Sequence, residues 1–227
     1  MLRYLPFILI ALYLGAMYFF SSWRLRQELS SNSTPLTHPR LTPMLERLGR
    51  AMELPPIRAH VYEIAQVNGL AAPDGRIFLT RGFLDKLDAG QVTEAELASV
   101  IAHELGHVAH GHGKRRLVDF AGQNAVRIAL GTLLGRFVPF IGRWLADLAT
   151  IAIVSRLSRD NEYEADAFAS ALMIKAGLGT GPQKSLFRKL EALTGSRSTT
   201  PAWLLSHPQT AKRIAAIEKL EEKWQGS

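Results

Sequence analysis

His103-Glu104-Leu105-Gly106-His107 is the stretch from which the rest of this chain is read. On an α-helix, positions i and i+4 share a face, so both imidazoles can point at a single metal ion. Glu104 projects beside them, where a carboxylate can accept a proton from an attacking water. A helix is expected here because Thr93 and Glu96 have capping-box spacing ahead of the apolar Leu97, Val100 and Ile101. It should run through the two histidines to about Gly111. A short motif of this kind also arises by chance on surface helices, and the apolar upstream flank argues against that origin.

Catalytic zinc takes three protein ligands and leaves a fourth position open. A third histidine six residues after the second would fall on Gly113, so that pattern fails. His110 and His112 have the wrong spacing and are expected to face solvent or to support the site from behind. Downstream, Ser158-Arg159-Asp160-Asn161-Glu162-Tyr163-Glu164-Ala165-Asp166 is a further stretch rich in acids and expected to be helical. Glu162 and Asp166 lie at i, i+4, where like charges repel unless a cation or its histidine ligands relieve them. Without the histidine motif, the stretch reads equally well as an acidic solvated face.

HELGH followed by SRDNEYEAD resembles the HtpX-like zinc metallopeptidases of peptidase family 48, which include the mitochondrial Oma-type enzymes and the CAAX prenyl proteases. The resemblance runs from about residue 40 to about residue 220. NGLAAPDGRIFLTRGFL (68–84) resembles the segment before that family's metal helix, and LSHPQTAKRI (205–214) its C-terminal His-Pro element. The resemblance implies one zinc ion per chain on His103, His107 and Glu162, with Glu104 as general base and Asp166 orienting a ligand. It implies a mainly helical, zincin-type α+β domain with a small antiparallel sheet. His207, with Arg213 as companion, is implied as the donor to the oxyanion. As a neutral imidazole, His207 is also chemically able to fill the open zinc position, and a histidine before proline is often an ordinary loop residue. Two departures from the family stand out. This chain offers one membrane span rather than several, like the compact periplasmic or intermembrane-space members. Asn68-Gly69-Leu70 replaces the more usual Asn-Ala-Phe.

Composition bounds these readings. Hydrophobic residues make up 47% and charged residues 21% of 227, which suits one globular domain with an appendage. A net charge of +7 favours anionic partners. Nucleic acid is not expected among them, because no Arg/Lys run interleaved with aromatics appears. The absence of cysteine excludes disulfides and thiolate metal ligands. Tyr4 to Trp23 carries no charge, and about 20 apolar residues match a bilayer core of about 30 Å. Tyr18, Phe19, Phe20 and Trp23 gather at one end as interfacial anchors do. A cleaved signal peptide competes with this reading, but its apolar run is usually shorter and no small-x-small cleavage site follows. The division expected is an anchor at 1–29, a Ser/Pro-rich linker at 30–40 and a zinc metallopeptidase domain at 41–227. Arg3 stands on one side of the apolar run and Arg24 and Arg26 on the other, so orientation is weakly specified; the catalytic domain is expected on the periplasmic or an equivalent extracytoplasmic side.

Helices are expected over Thr42–Glu53, Asp160–Lys175, Pro182–Leu193 and Pro208–Trp224. Strands are expected over Ile57–Leu70 and Arg76–Thr80, joined by Pro73-Asp74-Gly75. Arg76, Ile77, Phe78 and Leu79 are the expected open edge for an extended peptide. Ala125–Val154 is apolar but interrupted by Arg127, Arg136, Arg143 and Asp147, so buried or surface-resting helices are expected rather than spans. Val138–Ile141 is a candidate cover for the cleft. The function expected is a membrane-anchored endopeptidase acting on unfolded or misfolded polypeptides. A non-hydrolytic holdase is the alternative, and an intact Glu104 weighs against it.

Overall fold

A computed structural model describes residues 5–72, 74–111, 142–194, 207 and 210–225. In chain order these form α1 (Leu5–Ser31), β1 (Ser33–Pro35), α2 (Thr42–Ala51), β2 (Ala59–Tyr62), β3 (Gly69–Ala71), β4 (Ile77–Thr80), α3 (Arg81–Asp88), α4 (Glu94–Ala109), α5 (Gly142–Lys175), α6 (Gly181–Thr194) and α7 (Thr210–Gln225). The domain is therefore mainly helical with one small sheet.

The expected capping box is present. Glu96 N–H donates to Thr93 Oγ1 at 3.2 Å, and Thr93 N–H donates to the Glu96 carboxylate at 2.8 Å. That carboxylate also receives Ser185 Oγ at 2.6 Å and Lys189 Nζ at 2.7 Å, so the start of α4 is fastened to α6. Helix α3 was not anticipated. Its glycine, Gly82, lies where a Cβ would come within 2.2 Å of the Ala65 carbonyl oxygen, so the chain between β2 and β3 packs directly on its first turn.

The sheet order is β1-β2-β4-β3, with β1/β2 and β3/β4 antiparallel but β2/β4 parallel. This corrects the expected all-antiparallel sheet. The Ile57–Leu70 stretch does not form one strand; it breaks after Tyr62, and β3 goes to the far side of β4. Residues 33–35, within the expected linker, pair with β2 as an edge strand. Strand β4 has neighbours on both sides, so Arg76, Ile77, Phe78 and Leu79 offer no open edge. Among the described residues, the open edges are β1 and β3.

One face of the sheet (Ala59, Val61, Ile77, Leu79) joins Leu48, Phe83, Leu97, Ile101, Met173, Phe187 and Ile217 in the main core. The other face holds Phe78, sealed by Leu29 of α1 and Ala72. Residues 112–141, including His112, Gly113 and Val138–Ile141, lie outside the described residues; Gly142–Val154 belongs to α5. Among the described residues, no helix is long and apolar enough to cross a membrane. The apolar segment 4–23 falls partly outside them, because Tyr4 and several side chains of α1 are not described.

Candidate metal centre

The site is built where α4 crosses α5. Gly106 sits at the crossing, where a Cβ would come within 2.9 Å of both Cα and carbonyl oxygen of Ala165. The glycine of HELGH is thus a contact requirement: it lets the helix carrying His103 and His107 approach the helix carrying Glu162 and Asp166. All four side chains are buried, between 1% and 7% exposed.

His103 Nδ1 lies 2.9 Å from Asp166 Oδ1, which fixes the ring with Nε2 toward His107. His107 Nε2 is 3.1 Å from His103 Nε2. Glu162 oxygens lie 3.5 Å from each of these nitrogens. Ligand atoms about 2.0–2.2 Å from a tetrahedral zinc stand roughly 3.3–3.5 Å apart, so the spacing fits that ion. A second observation supports the fit: Glu104 Oε1 and Glu162 Oε1 are buried without a hydrogen-bond partner. Buried carboxylate oxygens are normally paired, and a cation with its attendant water would satisfy both. Zinc supplies Lewis-acid polarisation of a carbonyl and a more acidic water there.

Electrostatics favour positive charge at this point. Burial disfavours charging His103, but hydrogen bonds to Asp166 and Glu162 outweigh it and raise its pKa to about 9. Burial likewise opposes ionising Glu162, yet its hydrogen bonds with His103 and His207 hold it well below the usual carboxylate range. Asp166 is also lowered: burial is overcome by the Arg213 guanidinium, which donates to both its oxygens at 2.6 and 2.7 Å. The attraction acts in both directions, and burial notwithstanding, Asp166 raises the pKa of Arg213.

Arg213, 1% exposed, also donates to the His207 carbonyl at 3.2 Å and stacks over the Phe187 ring at 4.4 Å. It lies 3.4 Å from Glu162 Oε2 as well, and so ties α7 to the helix carrying Glu162 and Asp166. His207 Nδ1 lies 2.7 Å from Glu162 Oε2 and 3.4 Å from His103 Nε2, and its Nε2 lies 3.6 Å from Glu104 Oε1. His103, His107, Glu162 and His207 form one group whose ligand atoms lie within 4.8 Å of one another. His110 is exposed, 4.0 Å from Glu164.

Sequence reasoning missed Gln183 and Ser170. Gln183 Nε2 donates to Asp166 Oδ1 at 3.3 Å, and Ser170 Oγ donates to Gln183 Oε1 at 2.8 Å. Neither residue carries a motif, and only the packing of α6 on α5 brings them together. The position of the open edge was also missed. Asn68 accepts from Thr80 N–H of β4 and Ala72 N–H donates to the Arg76 carbonyl just before it, so by antiparallel alternation the backbone groups of Gly69 and Ala71 point outward. A Cβ at Gly69 would lie 3.7 Å from Glu104 Oε1, so this edge runs beside the carboxylate. Asn68 Oδ1, also buried, has no partner.

The chain is 31% identical over 178 residues to the metalloprotease LoiP of Escherichia coli K12, covering 78% of this chain and 68% of LoiP. It is 32% identical over 178 residues to the metalloprotease YcaL of the same organism, covering 78% and 67%. Its fold is similar to the crystal structure of S. mikatae Ste24p, with a TM-score of 0.55 at 24% identity, over 95% of this chain and 57% of that one. The peptidase family M48 model matches residues 35–221, nearly everything beyond α1, so this chain belongs to that family and is a zinc metallopeptidase.

Proposed function

We propose that the chain is a membrane-anchored endopeptidase whose zinc is held by His103, His107 and Glu162, with Glu104 as proton acceptor. It hydrolyses unfolded or misfolded polypeptide segments, as in protein quality control at an envelope membrane. The observation that carries this reading is the buried Glu104 Oε1, which has no hydrogen bond, on the same helix as His103 and His107 and beside Gly69 of β3. An extended peptide pairing with Gly69 and Ala71 would bring a scissile carbonyl to that point with little dependence on its side chains. Glu104 takes the proton of the attacking water and returns it to the leaving amine. Asp166, held by Arg213 and Gln183, keeps His103 in the tautomer that presents Nε2.

Residues 1–29 serve as the anchor and 41–227 as the catalytic domain, facing the periplasm or an equivalent extracytoplasmic space. Support comes from the uncharged 4–23 segment and from α1, a single helix of 27 residues with Leu12, Tyr13, Phe19 and Phe20 more than half exposed.

For His207 the geometry favours the fourth-ligand role over the oxyanion donor. Its ring stands between the ligand atoms and Glu104, in the space an attacking water needs, and must move aside for turnover.

Casein cleavage by the full chain in detergent tests this function. Fragments should appear, vanish on chelation and return with stoichiometric zinc. Suppressed aggregation without fragments would instead support the holdase.

A further inference from the structure

A simple tether would let the peptidase domain wander above the bilayer. The contacts at the end of α1 are of another kind. Leu29, 1% exposed, is packed against Phe78 and Ala72 on the outer face of the sheet. Tyr62 of β2 donates its hydroxyl to Glu28 at 2.9 Å. Arg76 Nη2 donates to Ser30 Oγ at 3.1 Å, while the guanidinium lies over the Phe78 ring at 5.3 Å. Asn32, the residue between α1 and β1, accepts from Glu63 N–H at 3.0 Å. Strand β1 then pairs with β2. A helix that buries Leu29 in its last turn, and that passes through one residue into a strand of the sheet, has no loose joint between the two.

We infer that α1 is a fixed strut that holds the peptide-pairing edge at a set height, so that among polypeptides presented at a membrane those whose extended segment lies close to the bilayer are cut fastest. This rests on the anchor reading given under Proposed function. Arg24 to Ser31, the part of α1 beyond the apolar segment, rises about 12 Å at 1.5 Å per residue. The open edge β3 lies three strands from β1, about 14 Å across the sheet at roughly 4.8 Å per strand. Together these hold the peptide-pairing edge within about 30 Å of the bilayer surface, a distance about nine extended residues cover. Leu70 on β3 packs against the same cluster as Leu29, so the end of the strut and the edge meet at one apolar contact. Arg24 and Arg26, just past the apolar segment, suit anionic headgroups at that level.

The test uses the full chain in phosphatidylcholine–phosphatidylglycerol liposomes. Two single-span substrates carry the same unstructured cleavable segment, one starting within about five residues of the bilayer. The other is lifted by a rigid helical spacer of about 40 residues, about 60 Å. The near substrate should be cut at least tenfold faster. A Gly/Ser insertion of about 40 residues between Arg26 and Gln27 leaves every docking contact in place and adds about 35 Å of flexible reach. It should bring the ratio below about threefold while casein turnover in detergent stays unchanged. A helical insertion of eleven residues at the same point, about 16 Å, should move the preferred height outward by that amount. If the flexible insertion loses casein turnover, the helical one alone decides. Equal cutting of both substrates by the unmodified chain, or a ratio indifferent to insertion, overturns the strut. Flotation of the protein with the liposomes is measured in parallel; failure to float overturns the anchor itself, whereas floating without a height preference overturns the strut alone.

Discussion

His103 Nδ1 and Asp166 Oδ1 are 2.9 Å apart, a buried bond that joins α4 to α5 and turns the other nitrogen of the ring toward His107. Asp166 in turn neutralises Arg213, which is itself 1% exposed. Replacing Asp166 with Asn keeps an acceptor but removes the charge, leaving the guanidinium buried and uncompensated. Zinc affinity should fall about 10–100-fold, as for other residues that orient a ligand. Chelator competition reads this directly, and wild-type affinity in D166N would remove Asp166 from the positioning of His103.

Gly106→Ala should act through the helix crossing. Its Cβ would meet the Ala165 backbone at 2.9 Å, and backbone cannot turn aside as a side chain can. A loss of about 1–3 kcal/mol in unfolding free energy is expected from overpacking, together with weakened zinc retention because the crossing sets the ligand spacing. Denaturant unfolding with and without zinc separates the two effects. Unchanged stability would mean that the helices slide apart at no cost.

His207→Ala, compared at constant zinc occupancy, should raise peptide turnover, because the ring that crowds Glu104 and Glu162 is gone. A fall of about 100-fold would make His207 an oxyanion donor instead.

Glu96 supplies a stability prediction away from the metal. Burial raises its pKa, but Lys189, Ser185 and the Thr93 N–H outweigh this and lower it below the usual 4.5. A depressed folded-state pKa contributes stability above the unfolded value that is lost as pH falls through the folded one. E96Q should therefore cost about 1.5–3 kcal/mol at pH 7, with the gap to wild type closing below about pH 4.5. Urea unfolding at both pH values checks it; a gap that persists at low pH would assign the effect to shape rather than charge.

The centre of the site was legible because its signals are local. His103, Glu104 and His107 follow helical periodicity, and Thr93 with Glu96 fixes where that helix starts. Glu162 and Asp166 became meaningful only beside the histidines, since an acidic pair alone is ordinary on a helix surface. The sheet was read less well. Strand order depends on which side of β4 the returning chain takes, and nothing in Asn68–Ala71 announces that choice, so the sequence does not tell that β3 rather than β4 is an open edge. Ser33–Pro35 looked like a linker because Ser and Pro are turn residues, yet an edge strand tolerates both. Gln183 and Phe187 hold Asp166 and Arg213 through helix packing alone, which leaves no spacing rule to find them by.

The most direct test is turnover of a peptide substrate by Glu104→Gln at measured zinc content. In the proposed mechanism the buried Glu104 carboxylate accepts the proton of the attacking water. Gln fills the same volume and cannot do so. Zinc content and the unfolding transition should match wild type, while turnover falls by more than about 100-fold. Turnover within a few-fold of wild type, with zinc retained, would contradict the account.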